Sequence, residues 1–187
     1  MTTNKELKID EFGISNNQEI TIRPCTLNDL DGVIEVNEKE LPEDYPYFFY
    51  KSILDNYPES FLIAQNGSAK IVGYIMWRVE KSPSLDSLRY INKGHLVSIA
   101  VSNEYRKKGI AKQLLSNSML AIKKYKIHDY VLEVRVSNYN AIKLYEQFNF
   151  QIENIKKNYY RDGENAYYMT LNAEKYYLDE NSNPLIK

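Results

Sequence analysis

The chain has 187 residues, of which 43% are hydrophobic and 26% are charged, and its formal net charge is −1. This composition predicts one globular domain, and the near-neutral balance argues against bulk attraction to nucleic acid or to a membrane surface. The single cysteine, Cys25, excludes an internal disulfide and a multi-cysteine metal site. The first twenty residues contain no apolar core of signal-peptide length, and no stretch is apolar over the length of a membrane span. We therefore expect a cytoplasmic protein that uses no metal.

The first half of the chain alternates between strand and helix patterns. Residues 1–18 are polar and are expected to form a flexible extension. The short strand EITIRPC leads into Thr26 and Asp29, whose spacing is typical of a helix N-cap. A proline-bracketed loop, LPEDYP, and a short helix follow. The strands SFLIAQNG and KIVGYIMWRVEK are separated by Asn66-Gly67, which favours a hairpin.

The second half predicts the core of an α/β sheet. KGHLVSIAVSN and YVLEVRV are strand patterns, NAIKLYEQF is a helix pattern, and FQIENIKKNYY and AYYMTL are two last strands around the turn RDGEN. The helix after Gly109 has an apolar stripe made by Ile110, Leu114, Ser118 and Ile122, with Leu115 and Met119 beside it. The order β-α-α-β-β-β-α-β-α-β-β predicts a mixed α/β sheet within one domain, residues 19–175, followed by a tail over 176–187.

A basic loop precedes the helix that begins after Gly109. Three cations, Arg106, Lys107 and Lys108, run directly into this glycine. A helix N-terminus exposes unpaired N–H groups, and a glycine there allows an anion such as phosphate to approach the backbone closely. The spacing alone favours a solvated basic turn over such an anion site, so the wider context has to decide between them.

Two motifs of this chain resemble those of the GNAT acetyltransferases. RKKGIA, residues 106–111, fits the signature (Q/R)-x-x-G-x-(G/A), and NYNAIKLYEQFNF, residues 138–150, fits N-x-x-A-x-x-L-Y-x-x-x-G-F with Asn149 in place of the glycine. Asparagine tolerates the left-handed conformation that this position requires. The stretches LPEDY, GHLVSIAVSNEYRKKGIA and NYYRDGENAYYM resemble the branch that contains the catalytic subunits of NatA amino-terminal acetyltransferases, their archaeal relatives and RimI-type enzymes. The resemblance covers residues 19–171.

The resemblance implies a single domain in which a mixed sheet with splayed central strands is flanked by helices. It also implies transfer of acetyl from acetyl-CoA by direct attack of an amine in a ternary complex. The implied cofactor-binding residues are Ile99, Ala100, Val101, Arg106, Lys107, Lys108, Gly109, Ile110, Ala111, Asn138 and Tyr145. For Asn138 the alternative is an N-cap of the following helix, and both roles are compatible.

Four residues are candidates for catalysis on the same resemblance. Tyr145 is implied as the donor to the departing thiolate, although its spacing from Ile142 by itself favours a core tyrosine. Glu43, His95 and Glu133 are implied neighbours of the acceptor amine, and as proton acceptors, directly or through water, we rank them in that order. Each also has an ordinary alternative: an exposed loop carboxylate, a structural strand histidine, and a strand carboxylate paired with Arg135 on the same face.

The acceptor predicted from the resemblance is the amino terminus of a protein or peptide that begins with Ser, Ala or Met, including nascent chains at the ribosome. The implied substrate-binding residues are Leu41, Pro42, Glu43, Tyr45, Tyr159 and Tyr160. One alternative is an acetyltransferase that acts on lysine side chains or small-molecule amines, since a fold does not determine its substrate. The other is a non-enzymatic RNA-binding protein, against which the net charge and the lack of an RNP-type motif both argue, so we expect no specific nucleic acid and no membrane partner.

Overall fold

Seven strands form one sheet in the order β1-β2-β3-β4-β5-β7-β6 in a computed structural model of the chain, which describes residues 19–83 and 89–180. The strands are β1 (Thr21–Pro24), β2 (Phe61–Gln65), β3 (Ile71–Pro83), β4 (Tyr90–Val101), β5 (Ile127–Arg135), β6 (Gln151–Lys156) and β7 (Ala166–Asn172). The helices are α1 (Leu30–Glu40), α2 (Tyr47–Asn56), α3 (Ile110–Ile122), α4 (Tyr139–Gln147) and α5 (Ala173–Glu180). The predicted extension over 1–18 and the tail from residue 181 onward lie outside the described residues. None of the helices within the described ranges is long and apolar enough to cross a membrane.

The sheet is mixed, which confirms the predicted α/β class. Strands β4 and β5 pair in parallel, and every other neighbouring pair is antiparallel. The parallel pair results from the crossover through α3, because two parallel neighbours need a connection that returns the chain to the starting edge.

The hairpin of β2 and β3 is confirmed, but its loop is longer than a two-residue turn. The loop covers residues 66–70, and the left-handed residue is Ala69, with φ 61°, rather than Gly67. The side-chain oxygen of Asn66 accepts hydrogen bonds from the N–H groups of Ser68 and Lys70, which closes the loop around this asparagine. The Asn-Gly pattern therefore marked the hairpin correctly while it misplaced the turn.

Strands β4 and β5 separate along their length. Their pairing extends from Asn92 and Ile127 to Leu96 and Leu132, whereas β4 continues to Val101. On the other edge of β4, Met76 pairs with Ser98 and Trp77 with Leu96, so Val97 is an extra residue that forms a bulge. A bulge bends its strand and increases the local twist. Within the described residues, the edge of residues 97–101 that faces β5 is consequently left without a strand partner.

Two apolar cores lie on opposite faces of the sheet. Ile75 and Trp77 of β3 belong to the core beneath α3, α4 and α5, whereas the alternating residues Tyr74 and Met76 belong to the core beneath α1 and α2. All six residues of the predicted α3 stripe are buried, as expected from their spacing. Burial of this stripe fixes the start of α3, and with it the basic loop, at the carboxyl end of β4.

The carboxyl-terminal helix α5 was not predicted from the sequence. It begins at Ala173, directly after β7, and the Asn172 side chain accepts a hydrogen bond from the N–H of Lys175 at 3.1 Å. Tyr176 is buried and stacks on Phe148 of the segment after α4, with ring centres 6.4 Å apart. The predicted boundary at residue 175 therefore falls inside a helix that packs on the core.

Candidate functional site

The basic loop between β4 and α3 has the backbone geometry of an anion cradle. Lys107 and Gly109 both adopt left-handed conformations, with φ 60° and 79°. Gly109 directly precedes α3, whose first-turn N–H groups have no intrahelical acceptor. A Cβ at Gly109 would meet nothing closer than the Gln113 amide nitrogen at 3.9 Å, so conformation rather than crowding explains the glycine. The loop leaves the helix N-terminus open to an anionic ligand.

The Arg106 side chain holds this loop against the strand and against α1. Its Nε donates to the Val101 carbonyl oxygen at 3.0 Å, and its Nη2 pairs with the Glu40 carboxylate. Glu40 also accepts a hydrogen bond from the N–H of Asn103 at 2.9 Å. Arg106 is thus bonded to protein groups although it remains exposed, as Lys107 and Lys108 are.

The other predicted cofactor positions surround the end of β4. Ala100 and Val101 are buried and Ile99 is half-buried, so the strand offers backbone groups rather than polar side chains. Asn138 caps α4, because its Oδ1 accepts a hydrogen bond from the Ala141 N–H at 3.2 Å, and the structural alternative is confirmed. Asn149 adopts φ 66°, which confirms that it takes the left-handed position.

Tyr145 is a buried phenol on α4. Its ring meets Phe150 edge to face, with centres 5.9 Å apart, and burial raises the pKa of its hydroxyl. The phenol is therefore neutral at physiological pH and retains the proton that the predicted thiolate donor needs.

His95 and Glu133 form the centre of a chain of charged groups that crosses the sheet. The Nε2 of His95 lies 2.6 Å from Glu133 Oε2, and its Nδ1 lies 2.9 Å from Glu80 Oε1. Lys156 of β6 donates to the other oxygen of Glu133 at 2.5 Å. Burial disfavours the ionised Glu133, but the hydrogen bonds and charges of His95 and Lys156 outweigh it and lower its pKa to about 2. Burial likewise disfavours the protonated form of His95. The hydrogen bonds and charges of Glu133 and Glu80 outweigh burial, so the pKa of His95 is raised.

Arg135 does not pair with Glu133, so the structural alternative considered for Glu133 is wrong. Its guanidinium donates to Glu43 at 2.5 Å, to Asp162 at 2.7 Å and to Glu164 at 2.8 Å. Because Glu133 is already bonded on both oxygens, and because Arg135 ends β5, its long side chain reaches the loops beyond the strand. It joins the loop of residues 41–45 to the loop between β6 and β7.

A buried chain of hydrogen bonds connects the 41–45 loop to α1, β3 and β4. The Asn37 amide donates to the Glu43 carbonyl oxygen at 2.7 Å and accepts from the Tyr74 hydroxyl at 2.5 Å. The Tyr74 hydroxyl lies 2.7 Å from Ser98 Oγ on β4. These three residues were not predicted as part of the site. Asn37 carried a signal, since it is a polar residue on the apolar face of α1 formed with Leu30 and Val33.

Tyr159 and Tyr160 lie in a loop and not in the strand that was predicted for them. Strand β6 ends at Lys156, and Asn158 turns the chain with φ 50°. The two rings meet edge to face at 5.1 Å, and the Arg135 guanidinium carbon lies 4.0 Å from the centre of the Tyr160 ring. The tyrosines are therefore presented by the loop that Arg135 anchors.

The 41–45 loop and the Tyr159–Tyr160 loop are joined by Arg135 beside β4, and we call the region between them the slot. Burial and then the charge of Glu43 raise the pKa of Tyr45, whose hydroxyl lies 3.4 Å from the Val97 carbonyl oxygen at the bulge. Burial and then the charge of Glu133 raise the pKa of Tyr159 to about 12. Leu41 is half-buried and Pro42 is exposed at the start of the first loop. The structure thus brings Glu43, Tyr45, Tyr159 and Tyr160 into the neighbourhood of His95 and Glu133.

Comparison with known proteins identifies the family to which the chain is similar. A family model described as acetyltransferase (GNAT) family matches residues 26–150. An N-alpha-acetyltransferase of Saccharolobus solfataricus is 46% identical over 157 residues, which cover 81% of this chain and 92% of that protein. The N-terminal acetyltransferase A complex catalytic subunit ard1 of Schizosaccharomyces pombe is 36% identical over 152 residues, or 79% of this chain and 82% of that protein.

A solved structure of an amino-terminal acetyltransferase has a similar fold. The crystal structure of Chaetomium thermophilum Naa20 in complex with a bisubstrate analogue has a TM-score of 0.71 and 26% identity, and the match covers 86% of this chain and 90% of that one. The resemblance seen in the two motifs is confirmed. The chain belongs to the acetyltransferase (GNAT) family.

Proposed function

We propose that this protein is an N-alpha-acetyltransferase, which transfers acetyl from acetyl-CoA to the amino termini of proteins and peptides. The observation that carries the proposal is the pair of loops on either side of the slot. Arg135 bonds Glu43 of the 41–45 loop, and it also bonds Asp162 and lies over the Tyr160 ring in the opposite loop. The two relatives reported above carry amino-terminal acetyltransferase activity in their names.

The cofactor is assigned to the splayed end of β4 and to the basic loop. The open edge of residues 97–101 offers backbone groups to the pantetheine arm in the manner of an added strand. The left-handed residues Lys107 and Gly109 and the first turn of α3 receive the pyrophosphate, with Lys107 and Lys108 as added charges. Asn138 contributes at the start of α4 while it caps that helix.

The chemical step is a direct attack within the ternary complex. The amine nitrogen forms a bond to the thioester carbonyl carbon, the carbon–sulfur bond breaks, and the electron pair leaves on the CoA sulfur. The neutral Tyr145 phenol donates a hydrogen bond to that thiolate, which takes its proton from solvent. A free thiol has a pKa of about 8.5, so the thiolate is a leaving group that needs modest assistance.

Glu43 is the residue to which we assign the proton of the amine. Its Oε1 is bound by Arg135, and Oε2 is the oxygen assigned to the amine or to an intervening water. His95 and Glu133 are less suited, because both nitrogens of His95 face carboxylates and both oxygens of Glu133 accept hydrogen bonds. Glu43 therefore keeps the first rank as the base in this proposal.

The acceptor is a peptide α-amine. Such an amine has a pKa of about 7.7–8.0, so a sizeable fraction is neutral near pH 7.5, whereas a lysine amine at about 10.4 needs a stronger base. Termini that begin with Ser or Ala, exposed after removal of Met, and uncleaved Met termini are the proposed substrates. We extend the proposal to nascent chains at the ribosome in the cytoplasm, where such termini first appear.

A pair of peptides tests the acceptor. One begins with free Ser or Ala, and the other has the same sequence with a blocked amino terminus and an internal lysine. Incubation with acetyl-CoA and mass analysis should show acetylation of the free terminus only. Equal or faster acetylation of the blocked peptide would overturn the α-amine assignment and favour a lysine acceptor, while membership of the acetyltransferase family would stand.

A further inference from the structure

Both ring nitrogens of His95 lie within hydrogen-bond distance of a carboxylate. Nε2 is 2.6 Å from Glu133 Oε2 and Nδ1 is 2.9 Å from Glu80 Oε1. A neutral imidazole carries one N–H, so with two ionised carboxylates it would direct a lone pair at one of them. Only the imidazolium donates to both. The geometry alone therefore selects the protonated form of His95.

The surroundings of His95 support this charge state. The side chains alternate in sign along the sheet, from Arg78 through Glu80, His95 and Glu133 to Lys156. His95 is 18% exposed and Glu133 is 6% exposed, so the central ion pair is largely shielded from water. The charged and phenolic groups that face this unit are Arg78 and Glu80 of β3, Lys93 of β4, Glu133 of β5, Lys156 of β6, Tyr168 of β7, and Tyr45 and Tyr159 of the two loops.

We propose that Glu80 is a positioning residue for acetyl transfer, which keeps His95 as an imidazolium bridged between Glu80 and Glu133. As a cation, His95 does not compete for the proton of the acceptor amine, and it fixes the Glu133 carboxylate beside the slot. This inference rests on the proposed function only for its catalytic consequence. The charge state of His95 is a property of the folded chain whatever the acceptor is.

Glu80→Gln removes the negative charge of residue 80 while it keeps the size of the side chain. The glutamine amide has a similar size, but it carries no charge to hold the second ring proton of His95. We expect His95 to lose that proton at a lower pH than in the wild type. Glu80→Asp keeps the carboxylate on a shorter stem and should retain much of the cation.

Nitrogen-15 spectra of the imidazole rings measure this directly, because the chain has only two histidines. His128, which is 52% exposed, is assigned by its loss in a His128→Gln variant. At pH 7 the wild-type spectrum should show both His95 nitrogens protonated, and the Glu80→Gln spectrum should show one of them without a proton. Glu174→Gln, which removes an exposed carboxylate from α5, is the matched control and should leave the His95 signals unchanged.

Kinetics provide the second readout. We expect Glu80→Gln to reduce kcat/KM for the peptide about 10–100-fold at pH 7.5, in line with the cost of a misplaced catalytic neighbour. The ratio of wild-type to variant rates should fall toward one as the pH is lowered, because protonation restores the imidazolium in the variant. A merely structural role would give a defect that does not change with pH.

Three results would overturn the proposal. They are a wild-type His95 with an unprotonated nitrogen at pH 7, identical His95 spectra in the wild type and Glu80→Gln, and a rate defect that is independent of pH. If the spectra behave as expected while the peptide α-amine is not acetylated, the proposed function fails and the charge state of His95 stands.

Discussion

Arg135 Nη2 donates a hydrogen bond to Glu43 Oε1 at 2.5 Å, although the two residues are 92 positions apart in the chain. The same guanidinium donates through Nη1 to Asp162 and Glu164 of the opposite loop. One side chain thus sets the spacing between the two walls of the slot. Arginine suits this task because its planar, five-donor group bonds several carboxylates in fixed directions, which the single ammonium of lysine does not.

We expect Arg135→Lys to weaken acceptor binding and leave the cofactor site intact. Hydrogen bonds to charged groups contribute ~1.5–3 kcal/mol, which corresponds to a rise in the peptide KM of about tenfold or more. Steady-state kinetics with either substrate varied should show this rise and an unchanged KM for acetyl-CoA. Arg161→Lys is the control, since Arg161 is 94% exposed and its nitrogen lies 3.7 Å from Asp44. Equal effects of the two variants would contradict the role of Arg135.

Glu43→Gln tests the assignment of the base. The amide keeps the size of the side chain but accepts no proton at neutral pH, and loss of a general base typically lowers kcat ~10²–10⁴-fold. Acetyl-CoA affinity should change little, and His95→Ala and Glu133→Gln should have smaller or pH-shifted effects. Glu38→Gln, on the exposed face of α1, serves as the control. Wild-type rates of Glu43→Gln across the pH range would remove Glu43 from this role.

Gly109→Glu should abolish the stabilisation of the protein by CoA. A ligand that binds only the folded state raises the melting temperature, and a carboxylate at the loop would repel the pyrophosphate. Gly109→Ala should lower the free energy of unfolding by ~1–2 kcal/mol, because a residue with a Cβ is strained at the φ of 79° that this position adopts. CoA binding should remain measurable in this variant. Thermal unfolding with and without CoA distinguishes the two effects. Asn117→Glu, on the exposed side of α3, adds the same charge away from the loop and should keep the full CoA shift.

Tyr74→Phe should destabilise the fold and loosen the 41–45 loop. The variant leaves the Asn37 oxygen and Ser98 Oγ without their hydroxyl partner in the core, at a cost of ~1–3 kcal/mol. Urea unfolding measures this loss, and kcat should fall with it because Asn37 bonds the Glu43 carbonyl. Tyr139→Phe, at a position 72% exposed, should be neutral in both measurements. An unchanged free energy of unfolding in Tyr74→Phe would show that the chain of hydrogen bonds is not coupled to stability.

The ionised Asp29 carboxylate should make the free energy of unfolding depend on pH in the acidic range. Hydrogen bonds from Arg23 are the main cause that lowers the pKa of Asp29 to about 2, and the Asp29 side chain is 11% exposed. Since the folded pKa lies below the unfolded value of about 3.9, the stabilisation is complete above that value and disappears as the pH falls toward 2. It amounts to ~2 kcal/mol. Urea unfolding from pH 5 to pH 2 should show a smaller loss in Asp29→Asn than in the wild type or in Asp55→Asn, whose carboxylate is exposed.

Local sequence patterns predicted most of the elements. The α3 stripe, the order of the elements along the chain up to β7 and the left-handed Asn149 are confirmed, because each depends on residues a few positions apart. The basic residues before Gly109 marked a helix start for the same reason. Glu43, His95 and Glu133 came into consideration only through the resemblance to the NatA branch and not through their spacing.

The partners of the charged residues were decided by the tertiary structure. A pair between Arg135 and Glu133, two residues away, was the structural alternative for Glu133, but Arg135 bonds Glu43 and the loop after β6, while Glu133 is bonded by His95 and Lys156. The bulge at Val97 and the packing of α5 depend in the same way on distant segments. An ion pair forms where the folded chain brings the closest unsatisfied partner, and that distance is set by strand register and loop position, which no local periodicity of this sequence encodes.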